Sequence, residues 1–280
     1  MPNADRAQPD LPPLREVIAR HGLSAKHSLG QHYLLDQNLT DRMVRTAGNL
    51  SATHVVEVGP GPGGLTRSLL KAGTAKVVAV ERDRRCIPAL NELRAAYPDR
   101  LEIVEGDALA LDLSELVPPP RRIIANLPYN ISTPLLIGWL KRIEAWQGLT
   151  VMLQKEVAER LAATAGQKAY GRLSVMAQWR CTVEIEFNVN KQAFVPPPKV
   201  TSSVATLAPR EKPLAEATWN ALETVVQTAF GQRRKMVRAS LKPLGLDLAA
   251  LGIDPTVRAE DLDIETFCTL ARAYQDAKAE

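Results

Sequence analysis

His54-Val55-Val56-Glu57-Val58-Gly59-Pro60-Gly61-Pro62-Gly63-Gly64 is the segment that decides the architecture of this chain. Its first half is a short β-branched run of the kind that forms a buried strand. Its second half is glycine and proline, and helical spacing follows from Leu65 to Ala72. A strand that empties through a glycine loop into a helix opens a doubly wound sheet. Glycine there lets a ligand approach the backbone and lets φ turn positive. Gly59, Gly61 and Gly64 satisfy the G-x-G-x-x-G spacing of dinucleotide sites, which loops for other nucleosides share. The helix N-terminus beneath favours a carboxylate as readily as a phosphate.

Working outward, similar apolar runs recur at Lys76 to Glu81, Leu101 to Glu105, Arg122 to Ala125 and Thr150 to Leu153. Helical patterns at Arg84 to Tyr97 and Pro134 to Trp146 separate later members of the series, with Pro88 set to shift or kink the first of them. Five strands with crossover helices imply an α/β fold, a Rossmann-like parallel sheet with right-handed connections. Cys181 to Val189 alternates polar and apolar residues, and Val200 to Leu207 does so more weakly. They are expected to form an antiparallel edge hairpin, joined by Phe194-Val195-Pro196-Pro197-Pro198. A charged, proline-interrupted stretch from Pro209 to Pro213 suggests a boundary. Beyond it Trp219, Leu222, Val226 and Phe230 fall on one helical face. The expected organisation is an N-terminal arm over 1–25, a sheet domain over 26–208 and a small all-α C-terminal domain over 209–280.

Composition narrows the function classes. The chain has 280 residues, 45% of them hydrophobic and 24% charged, an ordinary globular balance. No apolar stretch is long enough to cross a bilayer, so no membrane partner is expected. Met1 to Pro13 is polar and proline-rich, without a signal-peptide core, and reads as a loose arm. Cys86, Cys181 and Cys268 lie far apart with no CxxC pair, so no metal site or disulfide framework is expected; that pattern favours a reducing, cytoplasmic setting. The net charge of +4 is compatible with an anionic partner. Gln232-Arg233-Arg234-Lys235-Met236-Val237-Arg238 carries four cations in seven residues, either a solvated helix face or a patch for phosphates.

Two carboxylates sharpen the ligand. Glu81 ends the second strand, where it is positioned to accept ribose hydroxyl protons, and Asp107 follows the third, where it suits an adenine amine. Both are alternatively solvated loop acids. With a glycine loop over a helix end they describe S-adenosylmethionine, with NAD as runner-up. Asn126-Leu127-Pro128-Tyr129-Asn130 stands at the end of a further strand, at the edge where open α/β sheets bind ligands. An exocyclic amine is a poor nucleophile because its lone pair is conjugated into the ring. The Asn126 side-chain oxygen and Leu127 carbonyl are two acceptors for its N–H groups, Pro128 stiffens the loop, and Tyr129 offers a stacking face. The alternative is a turn in which Asn caps and Tyr packs.

These motifs, with Ser28-Leu29-Gly30-Gln31-His32-Tyr33-Leu34, Leu153-Gln154-Lys155-Glu156-Val157, Tyr170-Gly171-Arg172-Leu173-Ser174, Phe194 to Val200 and Phe230-Gly231-Gln232-Arg233-Arg234-Lys235, resemble the small-subunit ribosomal RNA adenine dimethyltransferases, from about Ser28 to Cys268. The resemblance implies a class I methyltransferase fold and methyl transfer from S-adenosylmethionine to N6 of two adjacent adenines in the 3′-terminal hairpin of 16S rRNA, on the assembling 30S subunit, by a monomer. It implies cofactor contacts at His32, Leu34, Gly59, Gly61, Glu81, Asp107 and Asn126, and His32 stands where the family has Asn. Ala125 stands where glycine is common. It implies catalytic roles for Asn126, Leu127, Pro128 and Tyr129, with Phe194 closing on the target base opposite Tyr129; from sequence alone Phe194 is a loop anchor. Arg233, Arg234, Lys235 and Arg238 become RNA contacts, which Lys26, Lys168 and Arg172 extend. Alternatives of the same fold are a 23S rRNA methylase of the macrolide-resistance type and a non-catalytic RNA-binding assembly factor.

Overall fold

The computed structural model describes residues 9–26 and 29–279. Helix α1 (Leu14–Arg20) leads to a two-residue strand β1 (Tyr33–Leu34) and to helix α2 (Gln37–Thr46). The Asp36 carboxylate caps α2 by accepting the Asn38 N–H at 2.9 Å. The main sheet then builds by βα units: β2 (His54–Val58), α3 (Gly64–Lys71), β3 (Lys76–Glu81), α4 (Ile87–Ala96), β4 (Leu101–Glu105), β5 (Arg121–Asn126), α5 (Ser132–Lys141) and β6 (Leu149–Gln154). Pro88 starts α4 rather than kinking it: it occupies the first turn, where a missing N–H costs nothing, and a 3-10 turn at Arg84–Cys86 precedes it.

Two helices, α6 (Lys155–Ala162) and α7 (Arg172–Arg180), connect to β7 (Cys181–Val189), the short β8 (Phe194–Val195) and β9 (Ser202–Pro209). The seven-stranded sheet has the order β4-β3-β2-β5-β6-β9-β7. Strands β2 to β6 pair in parallel, and β9 is antiparallel to both β6 and β7. The expected edge hairpin is therefore present, with its second strand inserted inside the first. A register shift between Ile185 and Phe187 leaves Glu186 to accept the Thr206 hydroxyl at 2.7 Å.

Alternation explains why the parallel strands read as unbroken apolar runs. Val56, Val78, Ile123 and Val151 face one layer, while Val55, Val77, Ile124 and Met152 face the other. Both faces are covered by helices, so every position of a central strand is interior.

Two departures concern the ends. Of the loose arm expected over Met1 to Pro13, the described part from residue 9 is tied down, and helix α1 follows it. Val17 of α1 is buried with Leu23, Tyr33, Cys86 and Ala89, and the Pro12 carbonyl accepts from Arg67 at 2.7 Å. One apolar stripe on a seven-residue helix docks it beside the glycine loop. Residues 1–8 lie outside the described residues. At the other end, α8 (Trp219–Gly231), α9 (Val237–Ser240) and α10 (Ile264–Ala279) form the helical unit. Its core crosses the expected boundary, because Tyr170, Val175, Met176 and Trp179 pack with Leu222, Val226 and Phe267. On the same helix α7, Leu173 and Ala177 face the sheet's core. The Trp179 indole donates to the Ala215 carbonyl at 2.8 Å, and Arg172 pairs with Glu223 at 2.6 Å.

Candidate active site

The sheet order reverses between β2 and β5, so their C-terminal ends flank the crevice in which doubly wound sheets bind ligands. One cavity occupies that crevice, and Gly59, Glu81, Asp107, Asn126 and Tyr129 line it together. Motifs far apart in sequence are in contact there: a Cβ on Gly59 would stand 3.3 Å from the Pro128 ring. Gly59 and Gly61 have φ of 68° and 55°, the left-handed region that favours glycine. A Cβ on Gly64 would meet the Leu34 carbonyl at 2.8 Å, so β1 lies directly against the start of α3.

Glu81 is buried, and its two oxygens already accept the Gly61 N–H at 2.9 Å and the Asp83 N–H at 2.7 Å. Burial raises its pKa, against the pull of those backbone donors. It thus fastens the glycine loop, and each oxygen retains a lone pair for a further donor. Asp107 accepts the Leu109 N–H at 3.0 Å and pairs with exposed Arg82 at 3.1 Å across the mouth of the cavity. An exposed pair of this kind is weak and yields to a ligand.

Asn126 is the last residue of β5, paired with Met152, and Leu127 continues the ladder by donating its N–H to the Met152 carbonyl at 3.1 Å. The Pro128 and Tyr129 carbonyls are engaged within the turn, by the Ile131 N–H and the Ser132 hydroxyl. Asn126 Nδ2 donates to the His32 carbonyl in a long 3.5 Å bond, which turns its oxygen away from that strand. The acceptors the turn has left to offer are Asn126 Oδ1 and the Leu127 carbonyl. The Tyr129 hydroxyl lies 2.6 Å from Ser202 Oγ, which fixes its ring at the rim, and burial raises its pKa.

Two further residues named by the resemblance meet at the rim, and one of them, His32, lines the cavity. The His32 Nδ1–H donates to the Pro196 carbonyl at 2.8 Å, and its ring lies obliquely against Tyr129 with centroids 5.4 Å apart. Phe194 is 1% exposed, paired with Leu34 in the small β1–β8 sheet, and lies edge-on behind the His32 ring at 6.5 Å. In this structure it anchors the loop through its pairing with Leu34 and its burial in the core. Leu34 is buried against the glycine loop, as its place in the motif suggests.

Glu57 is the functional candidate that the sequence motifs did not single out. It is 1% exposed, lines the cavity, and its Oε2 has no hydrogen-bond partner. Burial, with the like charge of Glu81 nearby, pushes its pKa up to about 8. The available signal was a lone acid inside a run of valines, where a charge needs a reason. Gln31 and Arg85 form a second such network: both bond the Asp83 carboxylate, which they hold at a pKa of about 2, with Arg85 the larger influence.

A family model described as ribosomal RNA adenine dimethylase matches residues 22–276. The chain belongs to that family. Curated relatives include a ribosomal RNA small subunit methyltransferase A of Paramagnetospirillum magneticum, 59% identical over 94% of this chain and 95% of the relative. Another, of the same name in Rhodospirillum rubrum, is 57% identical over 95% of this chain and 94% of the relative. Among solved structures, a dimethyladenosine transferase from Plasmodium falciparum is 27% identical, with a TM-score of 0.78 over 88% of this chain and 98% of that one. The 23S rRNA methyltransferase ErmE is 26% identical, with a TM-score of 0.66 over 87% of this chain and 99% of that one. The fold is thus a class I methyltransferase sheet, and the chain is an rRNA adenine methyltransferase; a dinucleotide dehydrogenase does not fit this membership.

As a member of this family the chain must meet RNA, and the basic run divides on that test. Most of it is not a helix face: residues 232–235 form a turn after α8 ends at Gly231, and only Val237 and Arg238 belong to a helix, α9. Arg233 pairs with Glu260 at 2.9 Å and donates to the Lys168 carbonyl, so it ties the helical unit together. Among the described residues no side-chain partner meets Arg234, Lys235 or Arg238, and all three are exposed. Arg172 is held by Glu223. No helix among the described residues is long and apolar enough to cross a membrane.

Proposed function

We propose that this chain transfers methyl groups from S-adenosylmethionine to N6 of two adjacent adenosines in the 3′-terminal hairpin loop of 16S rRNA, dimethylating both, late in assembly of the 30S subunit. It acts as a cytoplasmic monomer. The observation that carries this reading is the pair of uncommitted acceptors at Asn126 and Leu127, beside Tyr129, opening into the cavity that the glycine loop also lines.

The residues present suit the cofactor. Glycines whose Cβ positions would collide with Pro128 and Tyr33 leave backbone exposed for a close ligand. A buried carboxylate oxygen without a donor, on Glu57, calls for a cationic amino group. Gly59, Gly61 and Glu57 would hold the amino-acid end, Glu81 the ribose and Asp107 the adenine amine. When bound, S-adenosylmethionine supplies an electron-poor methyl carbon on a sulfonium. In the first transfer Asn126 Oδ1 and the Leu127 carbonyl each take one N–H of the target amine; in the second, one of them holds the single N–H that remains. That favours a pyramidal nitrogen whose lone pair projects out of the ring plane, and preorganised dipoles of this sort are worth on the order of 10²–10³ in rate. Tyr129 stacks on the base, which contributes roughly 1–3 kcal/mol. No general base is required, because the surplus proton leaves to solvent after transfer.

Arg234, Lys235 and Arg238 supply phosphate contacts that position the RNA without reading its sequence. Methylation of assembling 30S particles compared with naked 23S RNA tests the substrate. Activity on the first, mapped by mass to two dimethyladenosines, is expected. Activity confined to the second returns the enzyme to the macrolide-resistance type, and activity on neither returns it to an assembly factor.

A further inference from the structure

His32 touches both halves of the site. Its carbonyl receives the Asn126 amide, its imidazole donates to the Pro196 carbonyl at 2.8 Å, and its ring covers Tyr129 at 5.4 Å. The main chain on either side is fixed: Leu34 pairs with Phe194 and Tyr33 with Val195, while the Gln31 N–H donates to the Lys26 carbonyl at 3.2 Å. The side chain is therefore free to move on an anchored backbone.

The spacing decides what the ring does. Two aromatic planes that hold a base between them stand roughly 7 Å apart, twice the van der Waals contact of about 3.5 Å. At 5.4 Å, with the planes 33° apart, no base enters between His32 and Tyr129. Phe194 meets the imidazole edge-on at 6.5 Å and is itself buried in a core cluster with Leu34 and Val204.

Resting on the adenine-methylation reading above, we propose that His32 is a positioning residue that keeps the adenine slot shut in the RNA-free enzyme. Its imidazole stands in for the target base on the face of Tyr129, latched to the Pro196 carbonyl, and swings aside when the base arrives. Two weak contacts hold the latch, so the base displaces it at modest cost. The resemblance places Asn at this position; the ring adds a step of selection that a short amide does not supply.

The test is the KM for 30S particles in His32→Ala, His32→Asn and His32→Phe, with S-adenosylmethionine affinity measured separately by calorimetry and folding checked by melting temperature. Removal of the ring relieves the competition, so KM falls on the order of fivefold in the Ala and Asn variants, the effect expected of a single modest interaction. His32→Phe refills the slot with a ring, and its KM stays at or above that of the wild type. The Asn variant carries the test if the Ala variant does not fold. Equal KM values across all four proteins overturn the gate. A higher KM in Ala and Asn with wild-type behaviour in Phe makes His32 a stacking partner instead, which also overturns it. A tenfold loss of S-adenosylmethionine affinity with unchanged KM for RNA assigns the side chain to the cofactor and again overturns it. If the wild type leaves 30S particles unmethylated, the functional reading falls first and the gate with it; an active wild type with any of the failing patterns sinks the gate alone.

Discussion

The rim of the sheet and the basic turn at 232–238 both announce themselves in sequence, and the fold treats them in opposite ways. At the rim, Gly59, Glu81, Asp107 and Asn126 come from at or just beyond the ends of four different strands and line a single cavity. In the basic turn, neighbours in sequence separate in role: Arg233 is tied to Glu260 and the Lys168 carbonyl, while Arg234 and Lys235 face outward. The difference lies in what positions each group. Rim residues are placed by strand ends and tight loops, where the backbone leaves little choice. Long cationic side chains select whichever carboxylate or carbonyl is within reach.

The sharpest way to break this comparison is Asn126→Ala. Removing one of the two uncommitted acceptors is expected to lower the methylation rate by roughly 10²–10³, with S-adenosylmethionine affinity by calorimetry kept within an order of magnitude. Undiminished turnover removes the clamp. Next in size is Gly64→Ala, which drives a methyl to 2.8 Å from the Leu34 carbonyl. Backbone cannot yield cheaply there, so stability falls by about 1–3 kcal/mol, and cofactor affinity falls with it as β1 lifts from α3. An unchanged melting temperature and affinity show that β1 tolerates the added methyl.

Glu57→Gln tests the buried acid through pH. The folded protein holds this carboxyl to about 8 against 4.5 for the free group. Folding thus favours the protonated form, and that contribution is complete below the unfolded value and lost as pH rises toward 8. The glutamine variant gains on the wild type between pH 5 and pH 8, by on the order of 1 kcal/mol or more. Parallel melting curves across that range would place Glu57 in a wetter setting. The smallest effect expected is in the basic turn. Arg234→Glu with Lys235→Glu flattens the salt dependence of RNA binding, by about one unit of slope for each phosphate that is no longer neutralised. Arg233→Glu instead sets two acids together at Glu260 and shows chiefly as reduced stability. Equal salt slopes for the two proteins would make the division of the turn wrong.

Strands were the most legible part of the fold. Lys76–Glu81 begins and ends where its apolar run does, because a strand covered on both faces has few polar positions to blur its limits; Leu101–Glu105 does so too, although as the edge strand it exposes Glu102 and Glu105. The strand at Val200 was less clear and begins at Ser202, since Lys199 to Thr201 carry no alternation. The small sheet of β1 and β8 left no trace: two residues are too few for any period, and their partners lie about 160 positions away. The same distance hides Pro196 from His32, and a shorter one hides Ser202 from Tyr129. Helix α1 was hidden by the polar, proline-rich stretch before it and by presenting little more than Val17 to the interior.

By itself, then, the order of residues determined the kind of sheet, the crevice at its switch point and the residue types that ring it. Periodicity and glycine act over a few neighbouring positions, and each position carries that information locally. Only the tertiary structure decided which groups are already engaged when a ligand arrives. Glu81 is bonded to the loop it was expected to serve, Arg233 to an acid 27 residues away, and His32 to a carbonyl 164 residues away. Hydrogen bonds form between whatever atoms packing brings within about 3 Å, and that proximity is a property of the folded chain as a whole.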